Sequence, residues 1–183
     1  MECPSMSRRR GRAEVVTGAN LQSMTDTHGP DRTTDPTAPA PAETGSPGAP
    51  RHAYEAMGLR TAGTLIERMG IELEDVSADR VTARMPVAGN TQPAGLLHGG
   101  ASVVLAETLG SIAAQLHGGP GRAAVGIEVN ATHHRGAREG WVHGEAVPVH
   151  RGRTTASYEI VVSDDEGRRV CTARLTCMIL DLG

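Results

Sequence analysis

Apolar positions divide this chain into a silent first part and a strongly patterned remainder. Between Asp26 and Pro50 there is no large apolar side chain; the stretch is rich in Pro, Thr, Gly and Ala. Such a stretch cannot offset its own ordering entropy. Residues 1–50 are therefore expected to form a disordered N-terminal tail, and residues 51–183 the folded domain. TAGTLIERM (61–69) suits a short helix. In IELEDVS and DRVTARMPV, Ile71, Leu73 and Val81 alternate with polar residues, as in two strands joined by a tight turn. The loop AGNTQPAGLLH leads into GGASVVLAETLGSIAAQLHGG, the strongest helical signal. Four strand-like segments follow: AAVGIEVNATHH, WVHGEAVPVH, TTASYEIVVSDD and RRVCTARLTCMIL, separated by GAREG, RGR and DDEGR. One long helix followed by consecutive antiparallel strands predicts an α+β domain in which a curved sheet wraps a central helix.

The helix carries two further signals. Leu105, Leu109, Ile112 and Leu116 form one apolar stripe, expected to face the sheet. Glu107 and Ser111 project from roughly the opposite side, which also carries Val103, Val104 and Gly110. A helix apolar on both sides is expected to be buried on both, once by the sheet and once by a second subunit. A lone carboxylate placed there should have a perturbed ionisation, one mark of a functional group. At the helix start, His98, Gly99 and Gly100 occupy the loop-to-helix junction. The first N–H groups of a helix lack internal partners and sit at the positive end of its dipole. Glycine lets a ligand approach that backbone closely. Such a site suits a carbonyl oxygen that becomes negative during acyl transfer, and Gln92 in the preceding loop can bring an amide to it. Gly99 and Glu107 are separated by about 12 Å at roughly 1.5 Å rise per residue. One carboxylate cannot span that, so if both serve one reaction they come from different chains. The expectation is an obligate homodimer with two composite sites.

Composition excludes more than it adds. A net charge of −3 over 183 residues gives no reason to expect nucleic acid or a membrane surface as partner. No apolar run approaches the roughly 20 residues of a membrane span, and no apolar stretch follows MSRRRGR to make it a secretory signal. Cys3, Cys171 and Cys177 are read as reduced thiols of a cytoplasmic protein. His133, His134, His143 and His150 invite a metal reading, but His133 and His134 point to opposite faces of a strand, and no CxxC or HExxH spacing supports zinc. No metal or cofactor enters this reading. GxGxxG, Walker and serine-elbow motifs are also lacking.

The run QPAGLLHGGASVVLAETLGS resembles the hotdog-fold thioesterases of the 4-hydroxybenzoyl-CoA type. It looks closest to the branch that includes 1,4-dihydroxy-2-naphthoyl-CoA thioesterases of menaquinone synthesis. VGIEVNATHHRGAREGWVHGEAVPVHRGR and CTARLTCMIL are similar to the same branch, so the resemblance covers roughly residues 55–181. It implies a six-stranded antiparallel sheet around one long central helix, with dimers pairing into tetramers. It also implies an acyl-CoA substrate, with Glu107 as nucleophile or general base and the Gly99 N–H on the thioester oxygen. Gln92 and His98 would position the carbonyl, and Ser111 would orient the carboxylate or water. His133, Arg135, His150, Gly152 and Arg153 would contact the CoA phosphates and pantetheine. Relatives from phenylacetate metabolism usually carry Asp where Glu107 stands. His134, Thr132 and the long tail depart from the pattern. Phenylacetate-type or medium-chain acyl-CoA hydrolysis remains open. So does a rival of another class, a non-catalytic acyl-CoA sensor, although a binder has no need of the carboxylate. A hydratase would want an Asp/His pair that is not evident here.

Overall fold

The structure is a computed structural model that describes residues 60–183; the expected tail lies outside these. The elements are α1 (Leu65–Arg68), β1 (Glu72–Val76), β2 (Val81–Pro86), α2 (Gly99–Gly118), β3 (Arg122–His133), β4 (Trp141–Arg151), β5 (Thr155–Asp164) and β6 (Arg169–Asp181). The six strands form one antiparallel sheet in the order β1-β2-β4-β5-β6-β3. β3, although it precedes β4 in the chain, pairs only with β6 and becomes an edge.

Local chemistry explains the turns. Between β1 and β2, the Ser77 N–H donates to the Arg80 carbonyl at 2.9 Å, and Ser77 Oγ accepts from the Arg80 N–H at 3.0 Å. Between β5 and β6, the Asp164 carboxylate accepts from the backbone N–H groups of Glu166 and Arg168 and from Arg168 Nε. Burial pushes the Asp164 pKa up, but those donors outweigh it and hold it below the ordinary aspartate value.

Strand alternation supplies one wall of the core. Val81, Ala83 and Met85 of β2, Tyr158, Ile160 and Val162 of β5, and Ala173, Leu175 and Cys177 of β6 are all buried. Helix α2 meets β2 through β6. Its Leu105, Leu109 and Ile112 are buried as the stripe predicts, each such side chain contributing about 1.5–3 kcal/mol on leaving water, while Leu116 is only partly buried. The buried arc is wider than the stripe and includes Ala101, Ser102, Ala106, Gly110, Ala113 and Ala114. Gly110 therefore departs from the expectation that it shares the Glu107 side. It packs on β6, where a Cβ would meet Leu175 Cδ2 at 2.6 Å. The reason is the breadth of sheet facing the helix, which covers small residues well outside the leucine stripe. Val103, Val104, Glu107, Thr108, Ser111 and Gln115 stay half-buried along a strip, as does the last turn of the helix. Gln115 ties it to β3, donating to the Arg122 carbonyl at 2.9 Å and accepting from the Ala124 N–H at 3.0 Å.

Candidate active site

The loop before α2 folds back on itself. Thr91 bridges Leu97, the His98 N–H donates to the Asn90 carbonyl at 2.9 Å, and the Gln92 N–H donates to the Leu96 carbonyl at 2.8 Å. Gln92 thus returns beside the helix start, its Oε1 accepting from the Ala94 N–H at 3.3 Å. The loop is pinned to the β3–β4 connection by the Leu97 N–H, which donates to the Ala137 carbonyl at 2.7 Å.

His98 is the N-cap of α2. Its Nδ1 accepts from the Gly100 N–H at 2.8 Å, an acceptor role that places the proton of the neutral ring on Nε2. The Ala101 N–H donates to the His98 carbonyl at 2.9 Å. The Gly99 N–H has no partner among the described residues. Its surroundings are close on one side, where a Cβ would meet His133 Nε2 at 2.9 Å. A single orphan donor at the positive end of a 20-residue helix is therefore what the junction presents.

Two turns further on, Glu107 is half-buried. Burial raises its carboxyl pKa above the ordinary glutamate value, partly countered by a long 3.5 Å hydrogen bond donated by Ser111 Oγ. The carboxylate lies against the backbone of Gly126 on β3. The thiol of Cys177 on β6 shares this neighbourhood. Burial, with the Glu107 charge beside it, pushes its pKa up to about 11, against a lowering hydrogen bond from Ser111. At neutral pH it is a protonated thiol rather than a nucleophile.

The fold thus gathers Gln92, His98, Gly99 and His133 at one end of α2, and Glu107 with Ser111 two turns away. The CoA-contact set drawn from the resemblance splits. His133 sits at the helix start, with Arg135 exposed just beyond β3. His150, Gly152 and Arg153 lie at the other end, where His117 Nε2 hydrogen-bonds the Gly152 carbonyl at 3.0 Å. His117 follows Gly99 by 18 residues, roughly 27 Å along the helix. Two further described histidines stand apart, His134 on Thr172 Oγ1 at 2.9 Å and His143 on Asp165 at 2.9 Å. Sequence reasoning missed Gly126 and Cys177, although an isolated glycine within a strand is a recognised sign of a bulge or a close approach.

The thioesterase superfamily profile matches residues 94–171, from the loop through β3 to the start of β6. A proofreading thioesterase EntH of Cronobacter turicensis is 47% identical over 127 residues, covering 69% of this chain and 93% of its own length. The chain belongs to the thioesterase superfamily. The EntH of Klebsiella pneumoniae is 48% identical over 126 residues, covering 68% of this chain and 92% of its own. Among solved structures, a Pseudomonas aeruginosa thioesterase, crystallised as a glutamine-to-alanine mutant, aligns with TM-score 0.66 at 40% identity over 75% of this chain and 97% of that one. A Haemophilus influenzae thioesterase aligns with TM-score 0.64 at 38% identity, over 66% and 85%. The superfamily's antiparallel six-stranded sheet and long helix are the hotdog fold, and the chain is a thioester hydrolase. Among the described residues no helix is long and apolar enough to cross a membrane.

Proposed function

We propose that Glu107 of one protomer acts on a thioester carbonyl held at the Gly99 amide of its partner, and that the substrate is an aromatic acyl-CoA such as 1,4-dihydroxy-2-naphthoyl-CoA. The observation that carries this reading is the separation along α2. An unpartnered N–H at Gly99 and a half-buried carboxylate at Glu107 are fixed on one rigid helix, too far apart to meet over one carbonyl. Two such helices running antiparallel across a two-fold axis bring each N–H to the other's carboxylate. β3 supports the same arrangement. It is an edge strand of 12 residues, and Val125, Ile127 and Val129 are 46%, 52% and 39% exposed on it. A long apolar edge invites a partner strand, and a second β3 would supply one. Dimers pairing into tetramers belong to this proposal through the family resemblance.

The chemistry needs only groups already described. As nucleophile, a Glu107 oxygen attacks the thioester carbon, the carbon–sulfur bond breaks, and water then hydrolyses the resulting anhydride. As general base, Glu107 takes a proton from water as that water's oxygen attacks, and the proton passes to the departing thiolate. In either course the Gly99 N–H donates to the developing oxyanion, with Gln92 and the His98 Nε2–H as further donors. Ser111 orients the carboxylate. The antiparallel helices also reunite the split CoA set. With the partner's Glu107 level with Gly99, the partner's 150–153 turn falls roughly 15 Å beyond the helix start, by the rise per residue. A CoA leaving the carbonyl site would pass His133 and Arg135 of one protomer before meeting His150, Gly152 and Arg153 of the other.

The relatives' name, proofreading thioesterase, favours a second reading, in which the enzyme clears unwanted acyl groups instead of serving one synthetic step. Thiol release, followed with a disulfide chromogen over a panel of aryl- and alkyl-CoA thioesters, separates the two. A dominant rate for hydroxylated aryl-CoA supports the first reading, and similar rates across many acyl groups support the second. Glu107→Ala should abolish release while the dimer stays intact. Retained rate in that variant would refute the assignment of Glu107.

A further inference from the structure

We propose that Gly126 is a positioning residue: it forms a notch in β3 through which Glu107 presents its carboxylate to the exposed edge of the sheet. This inference rests on Glu107 being the reacting carboxylate. Gly126 does not serve backbone conformation, since it is not among the glycines with positive φ. Nor does it make room for a packed side chain. A Cβ at Gly144 would meet Leu109 Cδ1 at 2.6 Å and one at Gly110 would meet Leu175 Cδ2 at 2.6 Å, both core leucines. At Gly126 a Cβ would overlap Glu107 Oε1, and the next nearest atoms would be Glu107 Cδ at 3.4 Å and Leu175 Cδ1 at 3.6 Å. The space left by the missing methyl group is occupied by the carboxylate end of Glu107.

The strand is shaped around that notch. The register of β3 against β6 shifts between Gly126 and Glu128, leaving Ile127 as the extra residue of a bulge. Gly126 and His133 are seven residues apart, so in a regular strand they would face opposite sides. The bulge reverses that. Gly126 pairs with Cys177 and His133 with Cys171, both buried on the helix side of β6. One irregularity therefore places the notch at Glu107 and the His133 ring at Gly99 on the same face. Gly126 and the residues around it are exposed, so the carboxylate behind the notch looks out at the strand edge, where the proposed partner would lie.

Because the colliding atom is the end of a flexible side chain, Gly126→Ala should fold and displace only the carboxylate. Displacements of about 1 Å cost on the order of a hundredfold in well-oriented reactions. The expected result is a kcat lowered about 10- to 100-fold, with KM within about threefold and an unchanged melting temperature. Glu107→Asp withdraws the carboxylate by one methylene and relieves the overlap. The double variant Gly126→Ala/Glu107→Asp should therefore be no slower than Glu107→Asp alone, whereas a merely structural glycine would give losses that multiply. Wild-type kcat in Gly126→Ala, a loss that follows the melting temperature, or multiplying losses would overturn the notch. Glu107→Gln assayed alongside separates the failures. If it is inactive while Gly126→Ala runs at the wild-type rate, only the notch falls; if it retains rate, the reading of Glu107 falls first.

Discussion

The two edges of the sheet are built alike and finished differently. Both β1 and β3 carry a bulge, with Glu74 the extra residue in β1 and Ile127 in β3. β1 is five residues long, and its outward side chains Glu72 and Asp75 are engaged by Arg84 and Arg80 of its own hairpin. Short length, a bulge and charge are the usual ways of blunting an edge against other strands. β3 has the bulge and ion pairs of its own, Glu128 with Arg174 and Arg122 with Asp181, but it is not short. It runs 12 residues, places an isoleucine where β1 places a glutamate, and leaves every residue from Val125 to Asn130 exposed. Only one of the two edges is short, and the long one, with Val125, Ile127 and Val129 exposed, lies against the Glu107 carboxylate. Under the proposed function, β1 serves stability and β3 serves assembly and catalysis.

The largest effect should follow from finishing β3 as β1 is finished. Ile127→Arg is expected to turn the proposed dimer into monomers, read by light scattering, and to lower thioester hydrolysis at least about a hundredfold, because each proposed composite site would lose half its groups. Glu74→Arg, the same change at the corresponding place on β1, should alter neither mass nor rate. Equal effects at both edges would break the comparison. Next, Leu73→Ala removes a side chain of β1 that is 2% exposed. It should cost about 2–5 kcal/mol in denaturant unfolding, with kcat per folded molecule unchanged.

A smaller and more specific effect concerns pH. In the proposed mechanism the reacting form of Glu107 is the carboxylate; burial raises its pKa, so the rate should fall as pH drops through a value above that of an ordinary glutamate. The same shift reaches stability with a defined sign. A raised carboxyl pKa means that the folded state holds the proton more tightly than the unfolded chain. Stability is therefore higher below the unfolded value and declines as pH rises through the folded one. Glu107→Gln carries no charge to bury, and at neutral pH it should melt no lower than wild type. Smallest is Ser111→Ala. Its hydrogen bond lowers the Glu107 pKa, so removing it should move the acid limb to higher pH and reduce kcat several-fold, as loss of one long contact does. An acid limb that stays in place would detach Ser111 from Glu107.

Much of this was legible because period and punctuation are local. The helix expected over GGASVVLAETLGSIAAQLHGG ends one residue earlier than foreseen, and all six strand-like segments are strands to within a residue or two. What was not legible is non-local. Periodicity does not say that β3 pairs with β6 and leaves β4 to β2, yet that exchange makes β3 an edge. Nor does it reveal the Ile127 bulge, since an extra residue in a strand alters no composition. Gly110 lies on the buried side because a leucine stripe marks only the centre of a buried arc. The orphan donor at Gly99 and the half-buried Glu107 could be anticipated from helix geometry, whereas Gly126 acquires meaning only when the strand is laid across the helix.

The central claim, that each site draws its carboxylate from one chain and its oxyanion donor from the other, is tested most directly by mixing two inactive variants. Glu107→Gln removes the carboxylate. Gly99→Pro removes the N–H at a first helical position, where proline is favoured, although its Cβ requires the end of the His133 side chain to give way. Refolded together, half of the dimers formed at random pair one variant with the other, and each of these has one site with both defects and one intact. The predicted result is recovery of about a quarter of wild-type activity, following two-fold symmetry. Mixtures as inactive as the separate variants would place both groups in one chain and contradict the account.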